Sequence, residues 1–358
     1  MNHISTLQFA LSYVGVFLGA GFVSGQELWQ FFACFGPVGL LGFLGTTALF
    51  VVVDYSTLRL VMATGQEEMS RLMTPGDRPL LRKLVATMQG LLLFGVTVIM
   101  IAGAAVLIAP AIGLPRGIAG LLFTLVVSLV ALMGLGGLVA TFSLVVPVTT
   151  LCALILGGVT LVQCGFTFPE AVGGVSALVP NWVVGLFTYA AYNLFGTICV
   201  LVPMAKLLPD LTTLKRGLGL GSVLLVLLAG SIIAALAARP DAGLEELPMA
   251  VLAGNIHPLL EGSYGLLMGL GMFSAALCSA VALVAQMAIS HPAIETRTRL
   301  VTAGVLVSAW MLSLAGFGNL IGIIYPVFGY AGIPFLICVV YNWMREKEKT
   351  PCEKEEVL

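Results

Sequence analysis

The chain has 358 residues, of which 59% are hydrophobic and only 9% charged. A soluble domain carries roughly 25% charged residues, so a water-soluble enzyme and a disordered chain are both excluded, and a polytopic membrane protein remains. With 16 basic against 17 acidic side chains the net charge is −1, which leaves no footprint for nucleic acid.

A membrane helix needs roughly 20 apolar residues, and charges mark the ends of such runs. The pattern predicts an all-α polytopic protein with ten spans, at about 6–33, 37–62, 84–109, 116–134, 138–163, 183–207, 215–237, 262–290, 296–315 and 318–343. Residues 117–169 hold no Asp, Glu, Lys or Arg, and two spans fit there around a turn at Met133–Gly137. Residues 300–344 hold none either and fit two more spans. Segments 63–83, 164–182 and 238–261 read as loops, the last with a short amphipathic stretch at Glu246–Asn255. An N-terminus inside places 14 of the 16 basic residues on the cytoplasmic side, leaving only Arg116 and Arg239 outside. Both termini are therefore expected in the cytoplasm. The seven cysteines are scattered through apolar runs, form no Cys-x-x-Cys pair and read as small hydrophobes.

The first span is not an ordinary helix. Gly15, Gly19, Gly21 and Gly25 fall within eleven residues, followed closely by Gln26 and Glu27. Each glycine weakens a helix by about 1 kcal/mol relative to alanine. A charge at bilayer depth costs a few kcal/mol more. A packing face explains the Gly15–Gly19 spacing but not Glu27. A discontinuous helix explains both: the chain unwinds near Leu18–Phe22 and offers free carbonyls and amides at mid-membrane. Span two carries Asp54, either an interfacial residue near the cytoplasmic end or a coupling group. Span six places Tyr189, Tyr192, Asn193 and Gly196 at its middle. Asparagine in lipid needs a partner or a cavity, so a matching break is expected there. Spans one and six each open a five-span half. This points to an inverted repeat with the site between the halves. The expected units are 1–163, 164–343 and a charged tail, 344–358.

These residues resemble a known family. The ten-span plan resembles the amino acid–polyamine–organocation superfamily with its LeuT-type fold. The run Val14–Glu27 is similar to a Gly-Ala-Gly-x-x-Ser-Gly-Gln-Glu stretch of the YkvI-type bacterial membrane proteins. The resemblance implies a secondary transporter in the cytoplasmic membrane, carrying an amino acid or related amine by alternating access. It implies substrate contacts at Gly19, Ala20, Gly21, Phe22, Ser24, Tyr189, Tyr192, Asn193 and Gly196, and coupling or gating roles for Gln26, Glu27 and Asp54. It implies coupling to Na+ or H+: a sodium-coupled member would hold the ion on Gly15 and Leu18 of span one and on Ala275, Cys278 and Ser279 of span eight, and a proton-coupled one would use an ionisable group instead. Cys278 departs from the pattern, because a thiol is a poor ligand for a hard cation. Glu27 is then open to three roles: proton carrier, gate, or counter-ion for an amine. The alternative function is a ligand-sensing receptor subunit of the same fold. No ATP-binding run and no cluster of catalytic groups appears, so no enzyme and no resident cofactor are expected.

Overall fold

The computed structural model describes residues 3–18, 20–65, 74, 78–131, 134–290 and 298–349. The described residues are helical almost throughout; an isolated bridge pairs Ser176 with Val179. The first span comes in three pieces, α1 (Thr6–Phe17), α2 (Ala20–Ser24) and α3 (Gln26–Phe31), with a 3-10 turn at Ala33–Phe35. Then follow α4 (Val38–Thr64), α5 (Pro79–Ile112), α6 (Arg116–Ala131), α7 (Gly134–Gln163) and α8 (Trp182–Ala205). The remainder is α9 (Leu211–Ala238), the short α10 (Pro240–Gly243) and α11 (Pro248–Ile256), α12 (Pro258–Ser290), α13 (Thr298–Ser313) and α14 (Phe317–Lys349).

Six of these are long and apolar enough to cross a membrane: α4, α5, α8, α9, α12 and the Phe142–Gln163 part of α7. Four shorter apolar helices accompany them: α1, α6, and parts of α13 and α14. Their outer faces carry bare leucines such as Leu129 and Leu144, 70% and 72% exposed. Such a surface suits lipid and not water. Caps set the helix starts. Ser5 and Gln8 form a reciprocal capping box on α1. Asn181 accepts from the Val183 and Val184 amides at the head of α8. The Thr213 amide donates to Asp210 before α9 and holds that carboxyl below the usual carboxylate range.

The break in span one lies where the glycines placed it. Helix α1 stops at Leu18, whose ψ of 89° turns the chain out of helix while its amide caps the Gly15 carbonyl. Gly19 lies outside the described residues. A second interruption was not expected: Gly25 takes a φ of +84° between α2 and α3. Only glycine enters that region without strain. The ring of Tyr264 on α12 supports the short α2 from the side, its hydroxyl donating to the Val23 carbonyl at 3.3 Å.

Four expectations need correction. Span six is not discontinuous: α8 runs unbroken from Trp182 to Ala205. The Asn193 side chain donates to the Tyr189 carbonyl one turn back at 3.0 Å, so its polarity is met within an intact helix. Asp54 is not interfacial but fully buried. The segment 238–261 is mostly helical rather than loop, because Pro240, Pro248 and Pro258 each start a new helix at its first turn. Finally, α14 continues through Lys349, so the tail begins as helix. Of the turn expected at Met133–Gly137, residues from Gly134 on belong to α7, and Met133 lies outside the described residues.

The packing pairs have a pattern. The ten segments expected as spans correspond in chain order to α1–α3, α4, α5, α6, α7, α8, α9, α12, α13 and α14. Span two packs on six, and seven on one; ten packs on six, and five on one. Span seven packs on five, and two on ten; nine packs on three, and four on eight. In each couple the second contact is the first with five added to or subtracted from both numbers.

Candidate functional site

A cavity of about 70 Å³ lies beside the break in span one. Val16 and Phe17 reach it from the end of α1 and Glu27 from α3. Helix α5 supplies Leu92, Leu93, Val96 and Met100, and α8 supplies Tyr192, Asn193, Gly196, Thr197 and Val200. Helix α12 supplies Ala275, Cys278 and Ser279, and α14 supplies Tyr325. The α5 wall is apolar throughout. The polar groups come from α3, α8, α12 and α14. Such a cavity suits a small solute with one charged and one greasy end.

Glu27 is the chemical centre of this wall. It is 4% exposed. The Tyr192 hydroxyl donates to its Oε2 at 2.6 Å, a short and strong bond. The Tyr325 ring stacks on Tyr192 with centroids 4.8 Å apart and planes 6° apart, which locks the donor in place. Behind them Tyr189 packs edge-on against Phe31, Phe32 and Tyr192. Among the described residues the ion pairs are Arg116–Glu246 and Arg239–Asp241, both at exposed positions. Neither reaches Glu27, so among the described residues no ion pair meets its charge. A buried carboxylate is retained at such a cost only where something else meets its charge.

The expected site residues fall into three groups. Glu27, Tyr192, Asn193, Gly196, Ala275, Cys278 and Ser279 meet around the one cavity. Tyr189 and Phe22 are buried but outside its lining. Ser24 is buried too, its hydroxyl accepting from the Gln26 amide at 3.3 Å, while the Gln26 Oε1 has no partner. Gly19 lies outside the described residues; Ala20 and Gly21 open α2. Asp54 bonds to Tyr13 on α1 and lies outside this lining.

The proposed Na+ ligands were tested against their hydrogen bonds. Ser279 Oγ lies 2.9 Å from Thr97 Oγ1 and donates to the Ala275 carbonyl at 2.8 Å. Thr97 spends its own proton on the Leu93 carbonyl. The Ala275 carbonyl, which also accepts the Ser279 amide within the helix, is fully used, while the two hydroxyl oxygens keep lone pairs for a cation. Cys278 offers only sulfur, and the second hydroxyl oxygen beside Ser279 belongs to Thr97. This oxygen set fits a hard cation.

Reading the sequence did not join Thr97 to Ser279, and it passed over Tyr325 and Thr197. Tyr325 was legible as a tyrosine directly before Pro326 inside an apolar span. Thr197 lies one turn after Asn193, and its hydroxyl is buried at the cavity without a partner. Val16, Phe17 and the α5 residues carry no chemical signal and could not be singled out.

No family model matches the chain. It is 28% identical over 343 residues to a protein of Bacillus subtilis (strain 168) named as an uncharacterized membrane protein, YkvI, covering 93% of this chain and 94% of that one. It is 22% identical over 347 residues to an uncharacterized protein of the same organism, YyaD, covering 93% of this chain and 96% of that one. The similarity to YkvI suggested by Val14–Glu27 thus extends along nearly the whole chain. The fold is similar to that in the crystal structure of MhsT in complex with L-phenylalanine, with a TM-score of 0.69 and 13% sequence identity, covering 98% of this chain and 94% of that one. The chain therefore has the LeuT-type fold of a multi-pass membrane protein.

Proposed function

We propose that the chain is a secondary transporter of a small amino acid or related amine, working by alternating access across the bacterial cytoplasmic membrane with both termini inside. The observation that carries this reading is Glu27: a buried acid with no ion pair among the described residues, at the wall of a cavity beside a broken helix. The amine of the solute would meet Glu27, held by Tyr192. Its carboxylate would meet the amides at the start of α2, which have no helical acceptor. Its apolar part would lie on Leu92, Leu93, Val96 and Met100. The binding of L-phenylalanine by MhsT supports an amino acid as the class of solute. The small volume argues for a short side chain, or for walls that part to admit a longer one.

Ten spans in two inverted halves of five are the reading that the packing pairs support. A two-fold axis in the membrane plane relates span n to span n+5, and it requires the contact couples to come in the pairs observed. The halves are then 1–163 and 164–343, with 344–358 as a cytoplasmic tail. Alternating access needs two such halves around one site.

The test is a thermal-shift panel of amino acids and amines on the purified protein, in Na+ and in K+ buffer, followed by uptake of any hit into proteoliposomes. A ligand that binds only the folded state raises the midpoint by mass action. Uptake against a gradient supports the transporter. Binding without uptake would overturn it in favour of a ligand-sensing subunit.

The same panel tests the coupling ion. If Na+ sits between α1 and α12, Ser279→Ala removes one of its oxygen ligands and should abolish the difference between Na+ and K+ buffers. Thr97→Val should act in the same direction. A Na+ effect that survives both substitutions would place the ion elsewhere, and no Na+ effect in the wild-type protein would leave Glu27 and protons as the coupling system.

A further inference from the structure

A second buried acid, Asp54, lies outside the lining of that cavity. Helices α1 and α4 run antiparallel with two stacked rungs: Phe17 on Phe50, with ring centroids 4.6 Å apart, and one turn further Tyr13 on Asp54. Phe17 lines the cavity, so the aromatic rung separates it from Asp54. The Tyr13–Asp54 rung lies toward the N-terminus of α1.

Asp54 is 0% exposed. Its Oδ2 accepts from the Tyr13 hydroxyl at 3.1 Å, and its Oδ1 has no partner. The hydroxyl of Ser12, next to Tyr13, is likewise fully buried and unpartnered. On α9, Ser222 approaches the Tyr13 hydroxyl but gives its proton to the Leu218 carbonyl at 2.6 Å. A glycine at position 221 makes the space: a Cβ there would lie 2.8 Å from the Tyr13 ring. A carboxylate with one hydrogen bond in a dry site needs its charge offset.

No described neighbour offsets it. Helix α1 carries no Lys or Arg. On α9, Lys215 and Arg216 are exposed in the first turns, and on α4 itself Arg59 is exposed. Helix α8 offers Tyr189 and Tyr192, which group around Glu27. Helix α14 offers Tyr325 at the same place, and its described Tyr330 gives its proton to the Leu178 carbonyl.

We propose that Asp54 is a second cation site, taking up one monovalent cation, a proton or an alkali-metal ion, at Oδ1 while the Tyr13 hydroxyl holds Oδ2. The site is separate from the Glu27 cavity and does not depend on the transporter reading. Its position makes the Tyr13–Asp54 bond a latch between α1 and α4. Parting the two helices would open Oδ1 to water and release the cation, and closing them would require its return.

The experiment is the thermal midpoint of the Glu27→Gln protein, with and without Asp54→Asn. One arm varies pH in choline chloride, and the other varies NaCl or KCl against choline at fixed pH. If the cation is a proton, the folded state holds a proton that the unfolded chain has released. Stability then falls as pH rises, up to tenfold in the folding equilibrium per pH unit, and Asp54→Asn flattens the slope. If it is an alkali ion, the midpoint rises with that salt, and Asp54→Asn removes the rise. Tyr13→Phe keeps the carboxylate and takes its one hydrogen bond, so it should shift either profile without abolishing it. Profiles unmoved by Asp54→Asn overturn the proposal. If that variant does not fold, profiles unmoved by Tyr13→Phe overturn it.

Discussion

Glu27→Gln should weaken the binding of an amine-bearing ligand by about 100-fold and leave the protein folded. Removing one partner of a buried, hydrogen-bonded charge pair costs roughly 2–5 kcal/mol, and 1.4 kcal/mol is a factor of ten. Glutamine has the same shape and still accepts from Tyr192, so the bond at 2.6 Å has a replacement and the stacked Tyr325 keeps its seat. The loss should therefore fall on the ligand and not on the fold. The measurement is the dissociation constant of the best compound from the panel, alongside the midpoint of the ligand-free variant. An unchanged constant would take Glu27 out of the binding site. A collapsed midpoint with no ligand would make it a structural residue. The pH profile separates its remaining roles. A proton carrier loses all pH dependence of binding in the variant, whereas a counter-ion loses affinity at every pH.

Two glycines of α8 should respond in opposite ways to the same change. Helix propensity alone predicts that glycine to alanine inside a helix stabilises by about 1 kcal/mol. At Gly196 nothing opposes this: a Cβ would sit 3.5 Å from Leu92, an ordinary contact. Gly196→Ala should fold at least as well as the wild type, and its added methyl should narrow the cavity that Gly196 lines. At Gly185 a Cβ would collide with the Phe31 carbonyl oxygen. That oxygen is backbone, at the end of α3, and cannot swing aside. Gly185→Ala must push α8 away from the span that carries Glu27, an overpacking cost of about 3 kcal/mol or more. Its midpoint should fall by several degrees, with ligand binding lost alongside. Equal midpoints for the two variants would mean that α3 and α8 do not approach so closely.

The membrane class and most helix positions were legible because lipid imposes a simple rule. Every span must be long, apolar and hydrogen-bonded within itself. Charges and prolines then mark the ends. The break at Leu18 was legible for the same reason inverted: glycines crowded around an acid make no sense in a helix that only has to cross. Span six shows the limit of that logic. Asn193 looked as conspicuous as Glu27, yet a side-chain amide can bond to the carbonyl one turn back, and a helix absorbs it without breaking. A carboxylate without its proton can only accept, and no backbone donor is spare inside a helix.

The sequence by itself determined that this is a helical membrane protein and where its first helix fails. Local composition is enough for this, since each decision turns on residues within a turn or two of one another. Tertiary structure alone decided the company those residues keep. It joined Tyr192 to Glu27 across 165 positions, Thr97 to Ser279 across 182, and Tyr13 to Asp54 across 41. It placed Asp54, open in the sequence between an interfacial residue and a coupling group, at a fully buried position. Apolar spans look alike in sequence, and the face each turns to its neighbours is chosen by packing among small and bulky side chains. No signal within a single span records that choice.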